Sequence, residues 1–204
     1  TELANKILGF NAHVIVETYN NSINSSKLLN KDLKKISKNL MLTNTGEAVL
    51  ISKNNTKGLV LRGYEQDDFL KLEFIKNGNF TGNHKKLTGN NISIGRNLSL
   101  DYDLNIGDKI SILSTSGIQT IVGTLPKQEN YIITSIFESG LADFDRNIAF
   151  LNIENLESLF DLDQSSRNLE IYLHNPLNID ASTKIIQNIF DGFFVYSWSD
   201  MNSS

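Results

Sequence analysis

The residues best suited to metal binding or catalysis are three histidines and several clustered aspartates. His13, His84 and His174 lie far apart, and neither a His-x-x-x-His nor a His-Glu-x-x-His spacing occurs. A zinc site needs several such ligands brought together at one place, so the spacing does not favour one. His13 directly precedes an apolar run, and we expect its ring to be packed or hydrogen-bonded.

The aspartates fall into two short clusters, a pattern that can bind Ca²⁺ or perform general acid–base chemistry. An EF-hand loop that starts at Asp101 requires a glutamate at its twelfth position, where this chain has Ile112. We therefore expect these carboxylates to fix turns and cap helices, and the second cluster to pair with a nearby arginine. The clusters are Asp101, Asp103 and Asp108, then Asp143 and Asp145; the arginines are Arg96 and Arg146.

Motifs for nucleotide binding or nucleophilic catalysis do not occur in the sequence. The glycine-rich pieces between Gly78 and Gly95 lack the Gly-x-x-x-x-Gly-Lys pattern, and there is no Gly-x-Ser-x-Gly. The Ser-Thr-Ser sequence at residues 114–116 is better interpreted as a loop. The chain has no cysteine, which excludes disulfides and thiol chemistry. We predict a non-catalytic protein with no cofactor and no metal.

Length and composition describe an ordinary globular chain. Its 204 residues fit one large domain or two small ones, and a hydrophobic content of 40% is enough for a core. A net charge of -4 argues against binding to nucleic acid, which requires clustered Lys and Arg. No apolar run approaches the roughly 20 residues that cross a bilayer, and no signal peptide is recognisable.

The elements that would position a site are clearest in residues 94–145. A short helix is predicted first. The alternation of Ile110 and Ile112 then predicts a strand over residues 109–113. Residues 131–137 predict a second strand, apolar enough to be buried on both faces.

The connection between these strands, residues 114–130, is much longer than the usual hairpin loop of about two to five residues. It can be a folded-back ribbon that covers its own core, or a projecting element that docks on a partner. The sequence leaves both interpretations open. Its aliphatic residues are Ile118, Ile121, Val122 and Leu125, and its bend-forming residues are Gly117, Gly123 and Pro126.

The remaining patterns give strand–helix–strand order at both ends and a mostly β middle, which indicates an α+β fold with a possible insertion. The first part of residues 1–10 is expected to be helical. The other predicted helices are residues 26–38, 153–160 and 181–190, the last capped by Asp180. The predicted strands are residues 11–18, 40–43, 47–53, 59–64, 148–152, 168–173 and 193–198, with a turn at residues 44–46.

Four motifs follow one another in the central stretch: Ile94-Gly95-x-x-Leu98, Gly107-Asp108-x-Ile110, Gly123-x-Leu125-Pro126 and Ile133-x-x-Ile136-Phe137-Glu138-x-Gly140-Leu141-x-Asp143-Phe144-Asp145. In this order they resemble the periplasmic domain of the lipoprotein-releasing ABC transporter permeases of the LolC and LolE type. These permeases belong to the wider group with MacB-like periplasmic core domains. Residues 7–14, 149–160 and 198–202 extend the resemblance to nearly the whole chain.

This resemblance implies a discontinuous α+β subdomain, called Porter, formed by residues 1–65 and 147–204. It also implies an inserted, mostly β subdomain, called Sabre, formed by residues 66–146, with a protruding hairpin at residues 114–130. The chain would then be a soluble fragment of a multi-pass membrane protein, lying between two membrane helices on the periplasmic face of the bacterial inner membrane.

In the LolC branch the hairpin captures the periplasmic carrier LolA, which receives lipoproteins extracted from the inner membrane. The implied partners also include a second permease subunit and the cytoplasmic ATPase LolD, coupled through membrane segments. The chain departs from the branch at the hairpin base, where basic side chains are expected and Lys127 is the only nearby cation. The implied contact residues are Ser111, Thr115, Gly117, Ile118, Thr120, Ile121, Val122, Gly123, Thr124, Leu125, Pro126, Lys127, Gln128 and Glu129.

Within the lipoprotein-releasing group, a LolE-like role, in which the domain faces the lipoprotein and not the carrier, or a combined role stays open, although the length of the connection and Pro126 favour the LolC-like or combined role. Two alternatives outside that group also remain open. The first is a MacB-like or FtsX-like extracytoplasmic domain that couples an ABC ATPase to efflux or to another periplasmic partner. The second is a secreted hydrolase that uses Asp143 and Asp145, which would need a concave pocket and a carboxyl group of raised pKa.

Overall fold

The structure is a computed structural model that describes residues 12–18, 21–116 and 118–202. The predicted N-terminal helix, in the first part of residues 1–10, and Gly117 lie outside this part of the chain. The chain divides into two compact units. Residues 1–43 and 163–204 belong to the flanking unit, and residues 44–162 form the central unit. The central unit is therefore inserted between the two segments of the flanking unit.

The flanking unit contains a four-stranded antiparallel sheet. Numbered in chain order, its strands are β1 (Val14–Glu17), the first part of β2 (Ser37–Ser52), β11 (Asn168–Leu173) and β12 (Phe194–Ser197). Their order in the sheet is β12-β1-β11-β2, and the core includes Val14, Leu33, Ile171, Ile186 and Phe190. Its helices are α1 (Ser25–Leu28), α2 (Lys31–Ile36), α8 (Ile179–Ile189) and α9 (Trp198–Asn202), with 3-10 turns at Gln164–Ser166 and Pro176–Asn178.

The central unit holds the remaining elements. Its strands are the second part of β2, then β3 (Asn55–Tyr64), β4 (Phe80–Gly82), β5 (Asn91–Gly95), β6 (Lys109–Ser114), β7 (Ile118–Thr120), β8 (Gly123–Leu125), β9 (Gln128–Phe137) and β10 (Ile148–Asn152). Its helices are α3 (Gln66–Phe69), α4 (Glu73–Lys76), α5 (Arg96–Tyr102), α6 (Ala142–Asn147) and α7 (Ile153–Phe160).

Six of these strands close into a small barrel in the order β2-β3-β10-β5-β9-β6, because β6 pairs with both β9 and β2. The β3–β10 and β5–β9 pairs are parallel, and the other pairs are antiparallel. Side chains alternate between the two faces of a strand, so Ala149 and Leu151 belong to the interior cluster of the barrel. Closure leaves β6 and β9 side by side, with their connection at one end of the barrel.

The opposite face of the same strands carries an aromatic cluster. Phe150 contacts the rings of Phe69, Phe74, Phe137 and Phe144, with centroids 5.0–6.2 Å apart. The ring-edge and tilted geometries are those that aromatic pairs prefer. Helices α3, α4 and α6 supply three of these rings and are held against the barrel by them.

Several predicted elements are confirmed. The helix at residues 153–160 and the strands at residues 148–152 and 168–173 have the predicted bounds. The second strand of the central stretch begins earlier, at Gln128, and all of its residues from 131 to 137 are buried except Ile132. The mixed α and β fold is also confirmed.

The predicted turn at residues 44–46 is wrong, because β2 runs without interruption through these residues. Asn44, Thr45 and Gly46 pair in register with β3 instead of reversing the chain. The actual reversal is the two-residue turn of Lys53 and Asn54, both with positive φ, which is the geometry favoured in a tight hairpin.

The predicted continuous helix at residues 26–38 is also wrong. The Asn30 side chain accepts hydrogen bonds from the backbone N–H groups of Asp32 (2.9 Å) and Leu33 (3.1 Å), so it caps a new helix, α2. Leu29, an apolar residue of that predicted helix, is 66% exposed, and Lys38 lies in β2. The cap predicted at Asp180 is wrong as well, because α8 begins at Ile179 and places Asp180 in its first turn.

Along the chain, the boundaries between the two units fall at residues 43/44 and 162/163, and the predicted subdomain boundaries are residues 65 and 147. The barrel cannot close without the second part of β2, β3 and β10, so these strands group with the central unit. The assignment of Porter-like and Sabre-like roles to the two units remains a prediction.

Candidate functional site

The connection between β6 and β9 folds into a separate two-stranded antiparallel sheet, β7–β8. The pairing of Thr120 with Gly123 leaves Ile121 and Val122 as a two-residue turn. The Thr120 hydroxyl donates to the Gly123 carbonyl oxygen (2.6 Å) and accepts from the Val122 N–H (3.3 Å). Gly123 has φ +118°, a conformation that L side chains rarely adopt. Local hydrogen bonds therefore define the tip.

The aliphatic side chains at the tip face solvent. Ile121 is 106% exposed, Val122 82% and Leu125 53%. A ribbon that covered its own core would bury these three side chains, so the structure favours the projecting element of the two interpretations. Aliphatic side chains exposed next to one another form an apolar patch, and such patches can mark contact surfaces.

The surface that the hairpin presents is uncharged. Residues 114–126 contain no Asp, Glu, Lys or Arg, and their side chains are aliphatic, hydroxyl or amide groups. Such a surface fits an apolar groove rimmed by hydrogen-bonding groups, because no charge has to be desolvated on entry.

The base of the hairpin is tied to the barrel on both sides. On the outgoing side, the Thr115 N–H and hydroxyl donate to the Glu47 carbonyl oxygen at 3.4 and 2.9 Å. On the return side, the Lys127 ammonium donates to the Ser158 carbonyl oxygen at 2.8 Å and approaches its hydroxyl at 3.4 Å. Between the two legs, the Ser114 N–H donates to the Lys127 carbonyl oxygen at 2.9 Å.

The other predicted base residues have different environments. The Ser111 hydroxyl donates to the Asn130 side-chain oxygen at 2.6 Å, across the β6–β9 pair. Gln128 is exposed and Glu129 is partly buried. Burial raises the pKa of the Tyr131 hydroxyl, and the charge of Glu129 adds to this effect. Apart from the Lys127 ammonium, the base therefore presents hydroxyl, amide and carboxylate groups.

The structure places the predicted contact residues from Thr115 to Pro126 in the hairpin, apart from Gly117 and the side chain of Ile118, which lie outside the described part. Ser111, Gln128 and Glu129 lie on the barrel strands β6 and β9 at its base. Thr124 and Pro126 are exposed. Sequence reasoning missed the two acceptors that anchor the segment, on Glu47 and Ser158. Both are backbone carbonyls, 68 and 31 residues away along the chain, and no local pattern marks them.

Two of the histidines, His13 and His84, have structural contacts. The His13 Nδ1 accepts from the Leu173 N–H at 2.8 Å, which confirms the expected hydrogen-bonded ring. The His84 ring lies 3.7 Å from the Phe80 ring, measured between centroids. Among residues 12–18, 21–116 and 118–202, no group of three His, Cys, Asp or Glu side chains could hold a metal ion.

The second aspartate cluster does not pair with arginine as expected. Asp145 is buried and accepts hydrogen bonds from the Ser139 N–H at 3.0 Å and from its hydroxyl at 2.5 Å. Burial raises the pKa of Asp145, and the bonds from Ser139 partly oppose that rise. Arg146 instead pairs with Asp101 at 2.7 Å. A carboxylate held by Ser139 fixes the loop before α6, which is a structural role.

Comparisons with known proteins were made for sequence and for fold. No protein-family profile matches the chain. The lipoprotein-releasing system transmembrane protein LolC of Xylella fastidiosa (strain Temecula1) is 24% identical over 115 residues, which is 56% of this chain and 28% of that protein. LolC of Neisseria meningitidis serogroup B is 22% identical over 164 residues, covering 78% of this chain and 40% of that protein.

Among solved structures, the periplasmic region of MacB from Actinobacillus actinomycetemcomitans matches 98% of this chain and 95% of its own, with a TM-score of 0.51 and 7% identity. The chain resembles LolC in sequence and the MacB periplasmic region in fold. The resemblance predicted from the sequence is thereby confirmed. The extracellular domain of the ABC-type transporter YknZ from Gram-positive bacteria matches 92% of this chain and all of its own, with a TM-score of 0.55 and 8% identity.

The chain spans only 28–40% of the length of the curated relatives that it matches. None of the helices in its described residues is both long and apolar enough to cross a membrane.

Proposed function

We propose that this chain is the periplasmic domain of a LolC-type permease in a lipoprotein-releasing ABC transporter, and that its hairpin captures the periplasmic carrier LolA. The observation that carries the proposal is the uncharged hairpin tip, with Ile121 and Val122 exposed above an anchored base. The similarity to LolC supports the choice of transporter.

In this role the domain is not an enzyme. ATP is hydrolysed by the separate cytoplasmic subunit LolD, and its conformational change reaches the domain through membrane segments of the permease. A second permease subunit completes the transporter at the inner membrane. Outer-membrane lipoproteins leave the membrane through this assembly, and the hairpin holds the carrier close enough to receive them.

The energetics of the tip suit a transient handover. Full burial of an exposed aliphatic side chain contributes about 1.5–3 kcal/mol, and Ile121, Val122 and Leu125 are available for this. Association costs several kcal/mol in lost motion and ordering. Together the three side chains supply about 4.5–9 kcal/mol before this cost, and a micromolar contact requires about 8 kcal/mol after it. The tip contact is therefore weak, which lets the carrier leave after loading.

The test measures binding of the chain to purified LolA from the same organism by calorimetry. Replacing Ile121 and Val122 together by Asp places charge on the tip, and we expect binding to be lost. The matched control is Leu177→Asp, because Leu177 is an equally exposed aliphatic residue (94%) in the flanking unit. Unchanged binding by the Ile121→Asp/Val122→Asp variant would show that the tip is not the carrier site.

The alternative is a MacB-like or FtsX-like domain that serves efflux or another periplasmic partner. The fold similarity to MacB and YknZ is compatible with it, whereas the sequence similarity favours LolC. Absence of LolA binding by the unmodified chain, at concentrations well above micromolar, would favour this alternative.

A further inference from the structure

The direction in which the hairpin points is set by its base. Strands β7 and β8 pair with each other in a sheet separate from the barrel sheet. An isolated two-stranded hairpin is only marginally stable in water, so it gains little orientation from its own bonds. The Thr115 and Lys127 anchors therefore determine how firmly the tip is held relative to the barrel.

The Lys127 anchor differs from the Thr115 anchor because it carries charge. Its ammonium bonds the carbonyl oxygen of Ser158, in the last turn of α7. The last carbonyls of a helix lack partners within that helix, and they form the negative end of its dipole, which attracts a cation. Lys127 also follows Pro126 directly, so the bond acts where the return leg enters the barrel.

We propose that Lys127 is a positioning residue that fixes the angle of the hairpin through Ser158 and does not itself contact the carrier. This inference rests on the proposed function. It differs from the role expected from the sequence, where Lys127 was the one cation beside the contact. In the structure the ammonium donates to the Ser158 carbonyl oxygen of the same chain. It favours carrier binding only by keeping the tip in the orientation that binds.

The physical consequence is preorganisation. A tip that samples many orientations binds with an affinity reduced by the fraction of time that it spends in the competent one. Loss of one partly exposed charged anchor at a helix end lowers the competent fraction, and with it the affinity, by about 2- to 5-fold. The lower affinity should come from a lower association rate, because the contacts between the tip and the bound carrier are unchanged.

The first test does not require the carrier. The chain has no cysteine, so spin labels attached through Thr56→Cys on β3 and Thr124→Cys on β8 report one distance between barrel and hairpin. We expect Lys127→Met, which keeps the aliphatic stem, to broaden the distance distribution. Ser158→Ala is the matched control, because it removes the hydroxyl and leaves the carbonyl acceptor. Lys127→Arg should restore the narrow distribution.

The second test compares association and dissociation rates for LolA. Lys127→Met should slow association and leave dissociation unchanged, while Ser158→Ala changes neither. A distance distribution that is not broadened in Lys127→Met overturns the inference. If dissociation is also faster in that case, Lys127 contacts the carrier directly. The proposed function fails separately, if Ile121→Asp/Val122→Asp leaves binding intact.

Discussion

The ring of Phe160 lies directly on Gly46. A Cβ atom placed on Gly46 would stand 2.4–2.6 Å from three carbons of that ring, closer than real Cβ contacts come. Gly46 is thus the point where α7 packs on β2, and this packing explains why a Thr-Gly pair that resembles a turn continues a strand. Helix α7 also supplies the Ser158 carbonyl that anchors the hairpin.

Gly46→Ala is predicted to destabilise the chain, because Phe160 has to move out of the barrel core. Overpacking of this kind costs about 1–3 kcal/mol. Gly58→Ala is the control, since nothing lies within 4 Å of the Cβ that it adds to the neighbouring strand. Urea unfolding gives both values, and equal free energies of unfolding for the two variants would contradict the packing explanation.

Asn30→Ala is predicted to lower the free energy of unfolding by about 1 kcal/mol, the usual cost of losing a helix N-cap. The Asn30 side chain satisfies two N–H groups at the start of α2, and alanine cannot replace either bond. Asn30→Asp keeps the acceptor and should remain close to the parent chain in thermal unfolding. If the alanine and aspartate variants melt alike, the cap does not contribute.

Asp145 is predicted to make stability depend on pH. Burial raises the native pKa of Asp145 above the ordinary value of 3.8. Between pH 3.8 and the native pKa, the folded chain therefore binds a proton more tightly than the unfolded chain. The contribution of Asp145 to the free energy of unfolding is therefore fully present below pH 3.8, and it falls as the pH rises from 3.8 to the native pKa. Above the native pKa the carboxyl group is ionised in both states, and the loss of stability has reached its full size.

The measurement is the difference in free energy of unfolding between the parent chain and Asp145→Asn, taken at a series of pH values. Groups that titrate in both proteins cancel in this difference. We expect the parent chain to lose stability relative to Asp145→Asn as the pH rises above 3.8, and then to level off. A difference that stays constant over the series would show that Asp145 titrates normally.

Replacement of the tip residues is predicted to leave stability unchanged. Ile121→Asp and Val122→Asp each alter a side chain that is almost wholly in solvent, and such changes usually stay within about 0.5 kcal/mol. Ile133→Asp, at a fully buried position of β9, should prevent folding or cost several kcal/mol. Thermal unfolding distinguishes these cases; a large loss at the tip would mean that the hairpin is packed in solution.

Elements with a strong local pattern were predictable from the sequence. The periodicity of α7 and the alternation of β11 gave their bounds, because burial of one face imposes the spacing. The break at Asn30 was not predictable from periodicity, because Leu29 continues the apolar spacing although its side chain faces solvent. There a side-chain cap prevailed over a hydrophobic pattern.

The sequence by itself determined that an uncharged, aliphatic segment too long for a simple loop lies between two strands, and that no metal or catalytic motif accompanies it. These properties reside in the residue types and their order. Only the tertiary structure decided that Ile121 and Val122 face solvent, and that Glu47 and Ser158 hold the legs of the hairpin. The physical reason is that both anchors are backbone carbonyls, which every residue carries, and only barrel closure brings these particular ones to Thr115 and Lys127.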